Sequence, residues 1–129
     1  MAISSKKRLE ESRIHQPEES LLEACEDFEE RPAIEFQEDF IFITEIKKSS
    51  PSLGDISNRE FDIADQAGIY VKSGTNVISV LTEPLRFSGS LQDLNHISKS
   101  FPETPTMRKD FLVEPYQVSE AFINGARGI

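Results

Sequence analysis

With 129 residues, 37% of them hydrophobic, the chain is long enough for one small domain with a buried core. Its net charge of −9 argues against nonspecific nucleic-acid binding, which depends on clustered lysine and arginine, and the solitary Cys25 leaves no internal disulfide framework and fits a reducing, cytoplasmic setting. No apolar run approaches the roughly 18 residues of a membrane span, and none follows the charged opening MAISSKKRLEESR, so neither secretion nor a membrane partner is expected.

The acid is concentrated early. Residues 1–40 hold 12 Asp and Glu against 5 Lys and Arg, whereas residues 41–129 hold 11 against 9. Within residues 1–37, SKKRLEESRI can form an amphipathic turn or two before Pro17 interrupts it. PEESLLEACEDFEE then reads as a short acidic helix with Leu21, Leu22, Cys25 and Phe28 on one face. The expectation is a solvated helical extension packed against the remainder, with an acidic arm that binds a partner as the alternative. It carries no assigned chemistry, because His15 and Cys25 lack neighbours that would make them a ligand or a nucleophile.

A regular pattern begins at residue 38. Phe40–Ile46 is the first predicted strand, and its apolar or β-branched residues Phe40 to Thr44 suggest burial on both faces. The run breaks into charge at Glu45, Lys47 and Lys48 and ends in the turn-forming SSPS. Side chains two apart in a strand share a face, which puts Glu45 and Lys47 on one side roughly 7 Å apart. An ammonium and a carboxylate at the end of a buried strand are costly unless they pair or meet a ligand. A structural ion pair and a catalytic strand end both satisfy that requirement.

Ser57-Asn58-Arg59-Glu60 has the form of a capping box and opens a helix in which Phe61, Ala64, Ala67 or Gly68, and Val71 recur at helical spacing. Gly74 stands where a left-handed C-terminal cap belongs, and Val77–Leu81 follows as a second strand. After a loop over 82–89, Ser90-Leu91-Gln92-Asp93 opens a second helix with Leu91, Leu94, Ile97 and Phe101 inward. Pro102 and Pro105 punctuate its exit, Thr106–Lys109 forms a third strand, and Pro115 begins the helix YQVSEAFINGA, capped by Gly125. Arg127-Gly128-Ile129 reads as the opening of a fourth strand.

The result is an α/β protein, βαβαβα plus a strand fragment, with strands about 30–35 residues apart as in a repeating βα unit and therefore a parallel sheet. Polar residues gather after each strand: Glu45, Lys47 and Ser50, then Thr82 and Glu83, then Lys109 and Asp110. In parallel α/β folds the carboxyl ends of the strands carry the ligand site. Neither G-x-G-x-x-G nor G-x-x-x-x-G-K-[ST] occurs, so no nucleotide fingerprint is present. By residue type alone, Lys109-Asp110 also fits a surface pair, and Phe87 and Phe111 also fit ordinary core. Lys48, Arg86 and Arg108 read as solvated or structural, Glu83 stays open, and His96 on the second helix reads as exposed.

EIKKSSPSLG at 45–54, SVLTEPLRFSGS at 79–90 and RKDFLVEPYQ at 108–117 resemble, in order and spacing, three signature stretches of the indole-3-glycerol-phosphate synthases. The resemblance runs from about residue 38 to the end and implies a (β/α)₈ TIM barrel preceded by a helical extension: residues 1–37, then a partial barrel over 38–129 comprising βα units 1–3 and the start of strand 4. It implies a carboxy-lyase of tryptophan biosynthesis that converts 1-(2-carboxyphenylamino)-1-deoxyribulose 5-phosphate to indole-3-glycerol phosphate, CO₂ and water, with neither metal nor organic cofactor. A phosphoribosylanthranilate isomerase barrel would not account for EIKKSSPS followed by RKDF.

Carried over by position, Lys109 matches the general acid that protonates the ribulose carbonyl as the aryl ring attacks. Lys47 matches the lysine that holds the anthranilate carboxylate and assists proton transfer in the later dehydration, and Glu45 the glutamate that orients these groups and shuttles protons. Ser50 matches a phosphate-contacting position, and Phe87 and Phe111 match aromatic residues bordering the substrate. The residue types suit these roles, since a partly desolvated lysine beside another cation can act as an acid near neutrality. A substrate bearing carboxylate and phosphate also explains lysines at the rim of an acidic protein.

A complete barrel needs about 250 residues, so the chain is expected to supply roughly the first half of one. The family also uses a glutamate, an asparagine and phosphate-binding backbone from later strands. Three origins fit: a truncated enzyme with little or no turnover alone, a half that pairs with a second polypeptide or itself through open sheet edges, or a non-catalytic remnant or binding module.

Overall fold

The fold was established from a computed structural model that describes residues 1–28, 33–35, 40–52, 54–55 and 62–129. Two helices come first, α1 (Ala2–His15) and α2 (Glu18–Glu26), separated at Pro17. β1 (Ile43–Ile46) leads into a two-residue hairpin, β2 (Ser49–Ser50) antiparallel to β3 (Gly54–Asp55). Then follow α3 (Ile63–Lys72), β4 (Val77–Leu81), the single helical turn α4 (Pro84–Phe87), α5 (Leu91–Ser100), β5 (Thr106–Lys109), α6 (Tyr116–Ile123) and β6 (Ala126–Gly128). β1, β4, β5 and β6 lie side by side in that order, every pair parallel. Strand and helix alternate as in the opening units of a (β/α)₈ barrel.

Local chemistry sets the element ends. The Asp62 carboxylate accepts from the amides of Ala64 and Asp65 at the start of α3, and the Ser90 hydroxyl accepts from Asp93 N at 3.1 Å at the start of α5. Gly74 ends α3 with φ +86°, the left-handed geometry anticipated there, and Gly125 holds the matching place after α6. The proposed capping box at 57–60, and Phe61, lie outside the described residues.

Ile46, Ile78, Val80 and Ala126 from the sheet pack against Ala67, Leu94, Ile97 and Ala121 from the helices, all buried. Each large aliphatic side chain buried this way contributes about 1.5–3 kcal/mol. A second cluster joins the N-terminal helices to α6: Leu9, Leu21 and Tyr116, flanked by Val113 and Ile123. Tyr116 also donates its hydroxyl to Gln16 O at 2.8 Å.

Four expectations need correction. The first strand covers Ile43–Ile46 rather than Phe40–Ile46 and is not buried on both faces, since Phe40 is 75% and Ile43 49% exposed. β4 flanks one of its edges, and Phe42 just before the strand is tied to Asn76, whose side-chain oxygen accepts from Phe42 N at 2.8 Å and whose backbone N donates to Phe42 O at 2.9 Å. The stretch 82–89 is not all loop, because Pro84 at the first helical position and the Glu83 carboxylate accepting from Arg86 N at 2.7 Å set the turn of α4. α1 is longer than a turn or two, its 14 residues held by tertiary contacts at Ser5 and Leu9. Leu22 is 51% exposed and turns away from the packed side of α2, where Leu21 is buried and Cys25 Sγ lies 3.7 Å from Ser119 O, while Phe28 just past the helix meets the Phe122 ring.

Candidate active site

Side chains along the strands alternate between two faces. Ile46, Ile78 and Val80 turn toward the helices. The opposite face is a concavity of about 540 Å³ whose lining includes Ile43, Ser79, Met107 and Lys109. Parallel register places Glu45 beside Ser79 and Ser79 beside Met107, so Lys109 stands two residues further along on the same face, two strands from Glu45.

The lysine stem spans that offset. Lys109 Nζ donates to Glu45 Oε2, and Lys47 Nζ lies 2.9 Å from Glu45 Oε1, so each carboxylate oxygen holds a different ammonium. The Glu45 side chain is 30% exposed, Lys47 32% and Lys109 56%. Pairs this open to water contribute little to stability, so the contacts matter more for position than for folding. Burial alone would raise the Glu45 carboxyl, but the hydrogen bonds from Lys109 and then Lys47 outweigh it and hold it below its ordinary value. One ionised carboxylate thus holds two ammonium groups, of which that of Lys109 stands on a residue lining the concavity.

Neighbouring residues brace the trio. Lys48 Nζ contacts both carboxylate oxygens of Asp93 at 2.7 Å, tying the end of β1 to the first turn of α5. The Ser49 hydroxyl donates to Arg86 O at 3.1 Å and lies 3.0 Å from that of Ser88. Ser50 is nearly buried in the hairpin, its Oγ 3.4 Å from Ser52 Oγ. Phe87 is half-buried at the end of α4, and Phe111 is 39% exposed beyond β5, which removes it from the core. Ser50, Phe87 and Phe111 therefore rim the strand ends outside the ion-paired trio. His96 is exposed, as expected.

Asp110 is not the partner of Lys109. Its side chain is fully buried and receives both Arg8 guanidinium nitrogens, NH1 to Oδ2 at 2.9 Å and NH2 to Oδ1 at 2.8 Å. Oδ2 also accepts from Thr82 Oγ1 at 2.8 Å and Arg108 NH2 at 3.2 Å, and Oδ1 accepts from Phe111 N at 2.7 Å. Burial opposes ionisation here, yet the hydrogen bonds from Arg8 and Thr82 prevail and bring the Asp110 carboxyl down to about 2. Arg108 is structural, as expected: it is buried, contacts Glu120 Oε2 at 2.8 Å and donates to Gln117 O at 3.0 Å. Glu83 is fully buried and caps α4 through Oε2, while its Oε1 makes no hydrogen bond among the described residues. Thr82 and Asp110 stand out in the sequence as polar residues at strand ends, but nothing there signals Arg8. No group of three or more His, Cys, Asp or Glu that could hold a metal ion occurs among the described residues, nor does any helix long and apolar enough to cross a membrane.

The family model for indole-3-glycerol phosphate synthase matches residues 2–129. The chain belongs to that family. It is 48% identical over 88 residues to the indole-3-glycerol phosphate synthase of Salinibacter ruber, covering 68% of this chain and 32% of the relative. The same identity relates it over 89 residues to the enzyme of that name in Dehalococcoides mccartyi, at 67% and 34% coverage, and over 84 residues to that of Lactococcus lactis, at 65% and 31%. The chain therefore spans about a third of the length of these indole-3-glycerol phosphate synthases.

Proposed function

We propose that this chain carries the first three strand ends of an indole-3-glycerol-phosphate synthase site, acting on 1-(2-carboxyphenylamino)-1-deoxyribulose 5-phosphate in the cytoplasm. Residues 1–37 form its helical extension and residues 38–129 the opening part of the barrel. The observation that carries the reading is the Glu45 carboxylate held between Lys47 and Lys109 on the open face of the sheet. In the reaction the substrate's aryl carbon bonds to the ribulose carbonyl carbon while Lys109 delivers a proton to the carbonyl oxygen. Lys47 faces the aryl carboxylate until it leaves as CO₂, then assists the proton transfer that expels water. Glu45, ionised between them, accepts and returns protons and keeps both ammonium groups directed at the substrate. Ser50 contacts the phosphate, and Phe87 and Phe111 border the aromatic ring. Later strands would pair on the exposed edges of β1 and β6, from a continuing or a second chain.

The test transplants residues 40–129 into the Salinibacter ruber relative in place of its matching segment and follows indole-3-glycerol phosphate by fluorescence. The transplanted enzyme should turn over and Lys109→Ala should abolish that turnover, whereas the 129-residue chain alone should turn over little. A folded transplant without activity, or one indifferent to Lys109→Ala, would refute the reading and leave a non-catalytic binding module.

A further inference from the structure

We infer that Arg8, on the N-terminal helix α1, is a positioning residue for Lys109, acting through a two-pronged clamp on Asp110. The inference rests on the functional reading above for its consequence in turnover, but its geometry stands apart from it. α1 and β5 are separated by about a hundred residues of chain, yet two side chains of α1 reach the end of the strand, and α6 braces one of them. The Arg8 fork closes on both oxygens of Asp110 at 2.8 and 2.9 Å. The Ser5 hydroxyl donates to Phe111 O, and Gln117 Nε2 donates to Ser5 Oγ at 3.1 Å. Arg8 Nε is buried and makes no hydrogen bond among the described residues, so the guanidinium is aligned for the carboxylate rather than for full satisfaction of its own donors.

Asp110 passes this restraint to its neighbour. Its Oδ1 accepts from Phe111 N at 2.7 Å, which fixes the backbone immediately after Lys109, while Thr82 Oγ1 fixes the same carboxylate against the end of β4. Successive residues leaving a strand point to opposite sides, so Asp110 anchored toward α1 directs Lys109 to the open face, where it meets Glu45. Lys109 itself is 56% exposed and pairs with Glu45 across the open face. Loss of the clamp frees the strand end, and a displacement near 1 Å at a reacting group lowers rate by about 10²-fold.

The test uses the 129-residue chain and a water-soluble carbodiimide, which joins touching carboxylate and amine groups. Mass spectrometry then compares the Lys109–Glu45 link with the Lys47–Glu45 link, two amines competing for one carboxylate. Arg8→Ala should lower that ratio at least threefold while the distant Lys48–Asp93 link, which reports an intact fold, is unchanged. Arg8→Lys, which keeps the charge but not the fork, should give an intermediate ratio. An unchanged ratio in Arg8→Ala with Lys48–Asp93 intact would overturn the proposal. Should Arg8→Ala fail to fold, an unchanged ratio in Arg8→Lys would overturn it equally. Turnover of the transplanted enzyme separates the two readings: a folded transplant without activity refutes the proposed reaction, whereas the link ratio alone decides the clamp.

Discussion

Replacing Asp110 by asparagine isolates the charge at the centre of the buried network. The folded-state carboxyl lies at about 2 against an ordinary value of 3.8. That difference corresponds to about 2.5 kcal/mol of stability at neutral pH. Because the folded value is the lower one, this stabilisation is complete above the unfolded value and is lost as pH falls toward 2. Asparagine also leaves Arg8 and Arg108 without their shared counter-charge, and breaking a buried pair costs about 3–5 kcal/mol. Urea unfolding followed by circular dichroism should therefore place Asp110→Asn about 3–5 kcal/mol below the parent at pH 7. At pH 3 the parent has lost roughly 1 kcal/mol of the Asp110 contribution, and the gap should narrow by that amount. Other carboxylates titrate in both proteins and cancel in the comparison. A gap that stays constant or widens toward acid would refute the assignment of Asp110 as an ionised hub.

Two other substitutions test the frame around the site. A Cβ on Gly89 would stand 2.1 Å from Leu81 O and 2.7 Å from Leu81 C, backbone atoms at the end of β4. Gly89→Ala should therefore destabilise by more than about 3 kcal/mol or prevent folding, read as a lowered Tm or loss of soluble yield. Lys48→Met removes a partly exposed pair with Asp93. Its effect should stay below about 1 kcal/mol in the same urea assay.

The elements that local chemistry specifies were legible in the sequence. Val77–Leu81 and Thr106–Lys109 stand as strands, and Ser90 caps its helix, because apolar runs and capping side chains act over a few residues. The period of two along a strand likewise places Glu45 and Lys47 together. What failed depended on distant chain. Lys109 and Asp110 look like a surface pair only until α1 supplies Arg8 and β1 supplies Glu45, which draw the two neighbours to opposite sides of the strand. Phe40 to Thr44 carries the composition of a doubly buried strand, yet β1 has a neighbour along one edge and an open concave face. The N-terminal helices carry no chemistry legible on their own, because the contacts of Arg8 with Asp110 and of Ser5 with Phe111 form only in the folded chain.

The central claim is that Glu45, Lys47 and Lys109 work as one proton-handling unit. Ring closure in the transplanted enzyme, compared for Glu45→Gln, Lys47→Met and the double variant, tests it most directly. Residues that act as a unit lose their contribution together, so the double variant should be little slower than the worse single one. Losses that multiply would show independent action and contradict the account.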